Sequence, residues 1–274
     1  MPDDRPGLFR RILSVSNDDP RKIVGVAVAL CLVCSVFVSA AAIGLRPLQE
    51  ANKRQSMRQN ILQVAGLMQP GGDVDALFKQ NMEARIVDLR TGRFSDAVDP
   101  DVYDQRTAVR DPALSDPIPP DEDIAAIKRK AHFATVYLVK DGSGGYRAVI
   151  LPVHGYGLWS TLYGYLAVKP DGREIVGLQF YDHAETPGLG GEVDNPVWRA
   201  KWPGKRLFGE DGELRIEVVK GAAATGEKGA YQVDGLAGAT LTSRGVNNLV
   251  RYWASQNGFG PFLRTLQQEL SKDG

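Results

Sequence analysis

The chain reads as an α+β protein carrying one N-terminal transmembrane helix, and three observations predict that class. Ile23 to Leu45 contains no charged residue. Apolar and β-branched runs between Ala134 and Tyr181 are separated by Gly- and Pro-containing turns, the pattern of antiparallel hairpins. Val246, Leu249, Val250, Trp253 and Ala254 then recur at the spacing of one helix face. Strands followed by amphipathic helices make a layered α+β domain. A chain of 274 residues with 43% hydrophobic content can bury a sizeable core. Its 33 basic and 33 acidic side chains balance, and the absence of a basic stripe argues against nucleic acid as a partner.

Taken in order, residues 1–22 form a short N-terminal segment and residues 23–45 the membrane span. At about 1.5 Å per residue the span crosses a hydrocarbon core of about 30 Å with some tilt. A cleaved signal peptide is the competing reading, since Ser39-Ala40-Ala41-Ala42 offers small residues. The apolar run exceeds the roughly 7–15 residues of a signal core, which favours a retained anchor. Arg10-Arg11 is similar to the pair of a twin-arginine signal, but Asp18 and Asp19 intervene before the apolar run and the surrounding pattern is poor. Flanking charges leave orientation undecided: residues 8–22 contain Arg10, Arg11, Arg21 and Lys22, and residues 46–60 contain Arg46, Lys53, Arg54 and Arg58. Cys31 and Cys34 lie inside the span as C-x-x-C, where two thiols serve as small apolar packing residues or offer one face for redox or metal chemistry. No other cysteine exists, so the remaining chain holds neither a disulfide nor an iron–sulfur cluster by itself.

Residues 46–125 read as a helical and irregular connecting region. Glu50–Met68 continues as helix until Pro70-Gly71-Gly72 stops it, a second helix covers Val74–Glu83, and the Asp- and Pro-rich stretch 100–120 is a surface connection contributing little to a core. The domain proper spans 126–274. Ala134–Val139 and Tyr146–Val153 form one hairpin, Leu162–Val168 and Ile175–Tyr181 a second, and Leu214–Val219 a further strand. Helices over Asn195–Lys201, Ser243–Ser255 and Pro261–Leu270 pack on the sheet.

Two loops carry the chemistry. Asp234-Gly-Leu-Ala-Gly-Ala-Thr240-Leu-Thr-Ser243 places a hydroxyl among small residues just before a helix that Thr242 or Ser243 caps. Free amides and the positive dipole end of that helix favour a phosphodiester on Thr240. An ordinary capped turn has the same appearance. The segment His183-Ala-Glu185-Thr186-Pro187-Gly188-Leu189-Gly190-Gly191 has three readings. His183 and Glu185 alternate on an extended strand and can share a metal, but two ligands are too few. A phosphate loop is the second, although the G-x-G-x-x-G spacing is missing. The third is a rigid turn whose glycines admit a flat ring, with Leu189 as its apolar face. Gly221-Ala-Ala-Ala-Thr-Gly226 begins like a P-loop but lacks the Lys-Ser or Lys-Thr ending, so ATP is rejected. Trp159, Trp198 and Trp202 are each expected in the core, with cofactor stacking as the alternative.

These two loops, with Leu158-Trp-Ser-Thr before the first and Gly191-Glu-Val-Asp-Asn195-Pro196, Trp198 and Trp202-Pro-Gly-Lys205 after it, resemble the C subunit of the bacterial sodium-translocating NADH:quinone reductase. The resemblance covers most of residues 20–270. It departs at Ala237, a position often Ser or Thr in that family. The resemblance implies one FMN joined covalently through its phosphate to Thr240, and a ring lying against Glu185, Thr186 and Leu189. Gly190, Gly238 and Ala239 complete the expected cofactor-binding set. It further implies that a flavin transferase, using FAD and a metal ion, recognises Asp234. The implied location is the bacterial inner membrane with the main domain periplasmic. The implied partners are the flavin-carrying B subunit, the D and E membrane subunits, the NADH-oxidising F subunit and the A subunit. Such a chain is an electron-relay subunit of an oxidoreductase with no complete catalytic site of its own. The alternatives are the G subunit of the related ferredoxin-linked electron-transport complex, which shares Glu-Thr-Pro-Gly-Leu-Gly and Gly-Ala-Thr, and a membrane-anchored flavin sensor. A sensor needs a signalling domain, and the residues before the span leave no room for one.

Overall fold

The computed structural model describes residue 16, residues 19–68 and residues 71–272. Arg10, Arg11, Asp18 and Pro70 lie outside the described residues. The chain divides into two compact units, Met1–Arg54 and Gln55–Gly274.

Among the described residues of the first unit the main element is one helix. Helix α1 runs Pro20–Val64 and is long and apolar enough to cross a membrane. Its apolar residues, Val24, Leu32, Phe37 and Ile43 among them, are exposed. A helix of 45 residues whose apolar stretch is uncovered in this way has the length and composition of a membrane span. Cys31 and Cys34 are free thiols on this exposed surface.

In the second unit, α1 ends four residues before Met68, where the helix was expected to continue. Gly66, at φ 68°, closes it. The Leu67 amide donates to the Leu62 carbonyl at 2.9 Å and the Gly66 amide to Gln63 at 3.0 Å, the Schellman pairing that satisfies the last carbonyls. Helix α2, Val74–Asn81, is capped by the Asp73 carboxylate.

The main sheet has six strands: β1 Met82–Asp88, β2 Arg93–Phe94, β5 Phe133–Lys140, β6 Tyr146–Tyr156, β7 Thr161–Val168 and β8 Ile175–Asp182. Their order is β2-β1-β5-β6-β7-β8, every neighbouring pair antiparallel. Two small ladders accompany it: β3 Ser115–Pro117 with β4 Arg129–Ala131, and β9 Glu217–Val219 parallel to β10 Gln232–Asp234. Strand β1 lies in the stretch read from sequence as connection. The segment 100–120 likewise holds helix α3, Gln105–Ala108, and strand β3, with Ala108 and Ser115 buried.

Both faces of the sheet are covered. Val136, Leu138, Val149, Leu151, Leu166 and Phe180 face helices α6, Thr240–Ala254, and α7, Gly260–Lys272. Tyr137, Val139, Ile150, Tyr165 and Ala167 face the other way onto Ile61, Leu62 and Val64 at the end of α1. Burial on both sides explains why these strands read as near-continuous apolar runs. Each buried Leu or Val contributes about 1.5–3 kcal/mol, so Val246, Leu249 and Val250 dock α6 firmly. Helix α4, Pro196–Arg199, is capped by Asn195 and directs Trp198 into the core. Helix α5 is Gly226–Gly229.

Candidate functional site

Helix α6 begins at Thr240, not at Thr242 or Ser243, and neither hydroxyl caps it as expected. Ala239 occupies the cap position and makes no side-chain cap hydrogen bond. Ser243 instead donates its hydroxyl to the Ala239 carbonyl and accepts the Leu236 amide, both at 2.9 Å. Thr242 is fully buried. What remains at the helix start is Thr240, exposed, with Leu241 beside it also exposed. The amides of the first turn lack intrahelical partners, and with the positive end of the helix dipole they make this end favourable to an anion.

Gly238 enters this turn at φ 72°, a conformation that favours glycine. A Cβ there would lie 3.2 Å from Cδ2 of Leu189, so the two sequence loops are neighbours. Leu189 is 46% exposed, an apolar side chain left open beside the Gly238 turn. Gly188, at φ 75°, makes the bend that presents it.

Glu185 ties the two loops together from below. It is buried at 5% exposure. Oε1 accepts the backbone amides of Leu158, Trp159 and Ser160 at 3.1, 3.0 and 3.2 Å. Oε2 accepts the Thr242 hydroxyl at 2.7 Å. Burial pushes the carboxyl up, but the Thr242 hydroxyl and the three amides more than offset it, and the group titrates below its ordinary range. Gly190 is buried against this node: a Cβ would meet Thr242 Oγ1 at 2.5 Å and Glu185 Oε2 at 2.8 Å. The Thr186 carbonyl accepts the amides of Leu189 and Gly191, which closes the turn around Pro187 and Gly188. His183 points elsewhere: Nε2 pairs with Asp194 at 2.9 Å, and Nδ1 accepts the Glu185 amide at 3.2 Å. No group of three or more metal-ligating side chains occurs among the described residues.

Asp234 stands at the end of β10 with both oxygens engaged. Oδ2 pairs with Lys201, and Oδ1 accepts the Ala223 amide at 2.8 Å, which holds the 221–224 turn. The Lys201 bond, then the Ala223 amide, keeps its carboxyl below the usual range. Its carbonyl accepts Trp198 Nε1 at 2.8 Å.

The tryptophans divide. Trp198 and Trp202 are buried, edge to face at 5.6 Å. Trp159, expected in the core with them, is 67% exposed. The reason is its place in the tight turn between β6 and β7, where Glu185 holds its backbone and the indole projects outward. Sequence reasoning missed that turn as the third wall of the site. The available signal was Gly245, a glycine inside a helix. A Cβ on it would meet the Tyr156 carbonyl at 2.6 Å, so α6 lies directly against the turn.

Residues 157–255 match the family model described as FMN-binding domain. That span begins at the turn holding Trp159 and ends just after α6. The chain is 51% identical over 247 residues to the C subunit of the Na(+)-translocating NADH-quinone reductase of Pseudomonas aeruginosa, covering 89% of this chain and 94% of that one. To the C subunit from Yersinia pestis it is 45% identical, covering 94% and 97%. The crystal structure of Shewanella oneidensis NqrC superimposes with a TM-score of 0.73 at 35% identity, over 80% of this chain and 99% of that one. The corresponding structure from Parabacteroides distasonis gives 0.63 at 28% identity, over 80% and 96%. The chain belongs to the family of C subunits of Na(+)-translocating NADH-quinone reductases.

Proposed function

We propose that this chain is the electron-relay subunit of a membrane-bound, sodium-translocating NADH:quinone reductase, with one FMN joined covalently through its phosphate to Thr240. The observation that carries the reading is the exposed Thr240 hydroxyl at the first position of a 15-residue helix with no side-chain cap. The surroundings fit the group. Gly238 gives clearance on one side, and Ala239 ends in a small methyl. Exposed Leu189 and Trp159 supply apolar faces for a flat ring, with Thr186 and Gly190 shaping the turn behind Leu189.

A bound flavin supplies one- and two-electron redox chemistry, and the protein contributes orientation and electrostatics. An open site suits a relay, because part of the ring must stay accessible to the preceding and following redox centres. An accessible ring forfeits affinity, and the covalent link replaces it by keeping the effective concentration high. In this reading Asp234 serves recognition by the flavin transferase through the loop it braces, and the chain sits in the bacterial inner membrane with residues 46–274 periplasmic. Its partners are the flavin-carrying B, the membrane D and E, the NADH-oxidising F and the A subunits.

The test is in-gel fluorescence of the denatured, membrane-purified chain, followed by Thr240→Ala. The wild-type band is expected to fluoresce as a flavin, and the variant to fold without it. A flavin peptide persisting in the variant, or mapped by mass spectrometry to Thr225 or Thr242, overturns the assignment. Thr242 is buried and bonded to Glu185, which leaves its hydroxyl no access to a modifying enzyme.

A further inference from the structure

Glu185 carries a buried charge with no counter-charge. Its four hydrogen-bond partners are three backbone amides and one hydroxyl, all neutral. No Lys, Arg or His forms an ion pair with it among the described residues. Burying an unpaired carboxylate is costly. The bonding geometry does not demand one: a glutamine would accept the same amides through Oε1 and donate Nε2 to the Thr242 hydroxyl. Yet the fold is shaped around this group, since a Cβ on Gly157 would lie 2.7 Å from Oε1 and one on Gly190 would lie 2.8 Å from Oε2. The carboxylate therefore sits between the turn bearing Trp159, the turn bearing Leu189 and the first turn of α6 bearing Thr240.

We propose that Glu185 is an electrostatic positioning residue for the flavin on Thr240: its fixed negative charge disfavours arrival of an electron and so sets a low reduction potential. The proposal rests on the site described under Proposed function and adds a determinant of its potential. Glu185 itself gains no electron and exchanges no proton; the electron enters the ring from the preceding redox centre and leaves to the next. Its four donors keep it ionised throughout. A second explanation for the charge exists in the helix dipole, because a carboxylate bonded to the third residue of α6 is favoured at that end. The two explanations differ in what they change: one acts on the flavin, the other only on stability.

The experiment uses the full-length chain, produced with its flavin transferase and purified in detergent, as wild type, Glu185→Gln and Thr242→Val. The readouts are the flavin midpoint potential by spectroelectrochemical titration and the thermal midpoint. Glu185→Gln is expected to raise the first-electron equilibrium constant about tenfold, about 59 mV more positive. Thr242→Val keeps the charge while removing one bond, and its potential is expected to match wild type although it melts lower. An unchanged potential in Glu185→Gln overturns the proposal and leaves the helix dipole as the reason for the charge. An equal shift in Thr242→Val makes geometry the cause, and a Glu185→Gln chain without flavin makes the residue an attachment determinant; each overturns it as well. Absence of covalent flavin from the wild type defeats the assignment of the site instead.

Discussion

Leu189 reaches toward Gly238 so closely that a Cβ on the glycine would stand 3.2 Å from the leucine Cδ2. Two loops far apart in the chain thereby form one wall, with Thr240 at its edge. Leu189 makes the apolar part of that wall and is held by the Thr186 carbonyl, not by the acceptor loop. Leu189→Ala is therefore expected to leave covalent loading near normal, while the flavin's visible spectrum, potential and electron-transfer rate shift as water reaches the ring. Unchanged spectrum and potential would place the ring elsewhere. Loss of flavin altogether would make the turn part of the attachment site.

Gly238→Ala attacks the same wall from its other side. An L-residue at φ 72° costs roughly 1–2 kcal/mol, and the new methyl presses on Leu189. The expected result is a lower thermal midpoint together with reduced flavin loading, because the strain falls two residues from the acceptor. Normal loading with a lowered midpoint would separate the backbone bend from the modification step.

Much of this arrangement was legible in the sequence. The hairpin strands were readable because each is bounded by turn residues such as Asp141-Gly142 and Asp171-Gly172, and the face of α6 because its apolar spacing is regular. Strand β1 was not, because Met82–Asp88 mixes Glu83, Arg85 and Asp88 into a short apolar pattern and is fixed by pairing with β5. Helix α1 ends short of Pro70 because Gly66, at positive φ, closes it first, and an isolated glycine is a weaker local stop signal than Pro-Gly-Gly. Within the site, Thr240, Leu189 and Gly238 stand out as local motifs. The contact of Glu185 with Thr242 joins residues from opposite loops, and the turn bearing the outward Trp159 is held by the other oxygen of the same carboxylate. Nothing local to either residue records it.

Membrane orientation is the expectation least served by charges, since residues 8–22 and residues 46–60 carry four basic side chains each. With the N-terminus cytoplasmic and residues 46–274 outside, alkaline phosphatase fused after Gly274 is expected to be active. An inactive phosphatase with an active cytoplasmic reporter at the same junction would reverse the orientation.

Acid sensitivity is expected to come from His154 before any carboxylate of the flavin site. Its ring stacks on Tyr163 at 5.5 Å and lies against Trp253 at 5.1 Å, with Arg106 also over the Tyr163 ring. Burial, then the Arg106 charge, lowers its pKa from 6.5 to about 4, with Asp123 opposing weakly. The folded chain thus holds His154 neutral where the unfolded chain already binds a proton. Its contribution is fully present above pH 6.5 and is lost as the pH falls toward 4. Between pH 7 and pH 5 the loss amounts to about 2 kcal/mol. Glu185 and Asp234 have depressed pKa values, so their contributions disappear only at lower pH. His154→Phe keeps an aromatic ring in the stack and leaves the backbone carbonyl that accepts Trp253 Nε1 at 2.6 Å. Urea unfolding of both chains at pH 7 and pH 5 is expected to show a steep loss for wild type and a flatter one for the variant. Equal losses would assign the acid sensitivity to other groups.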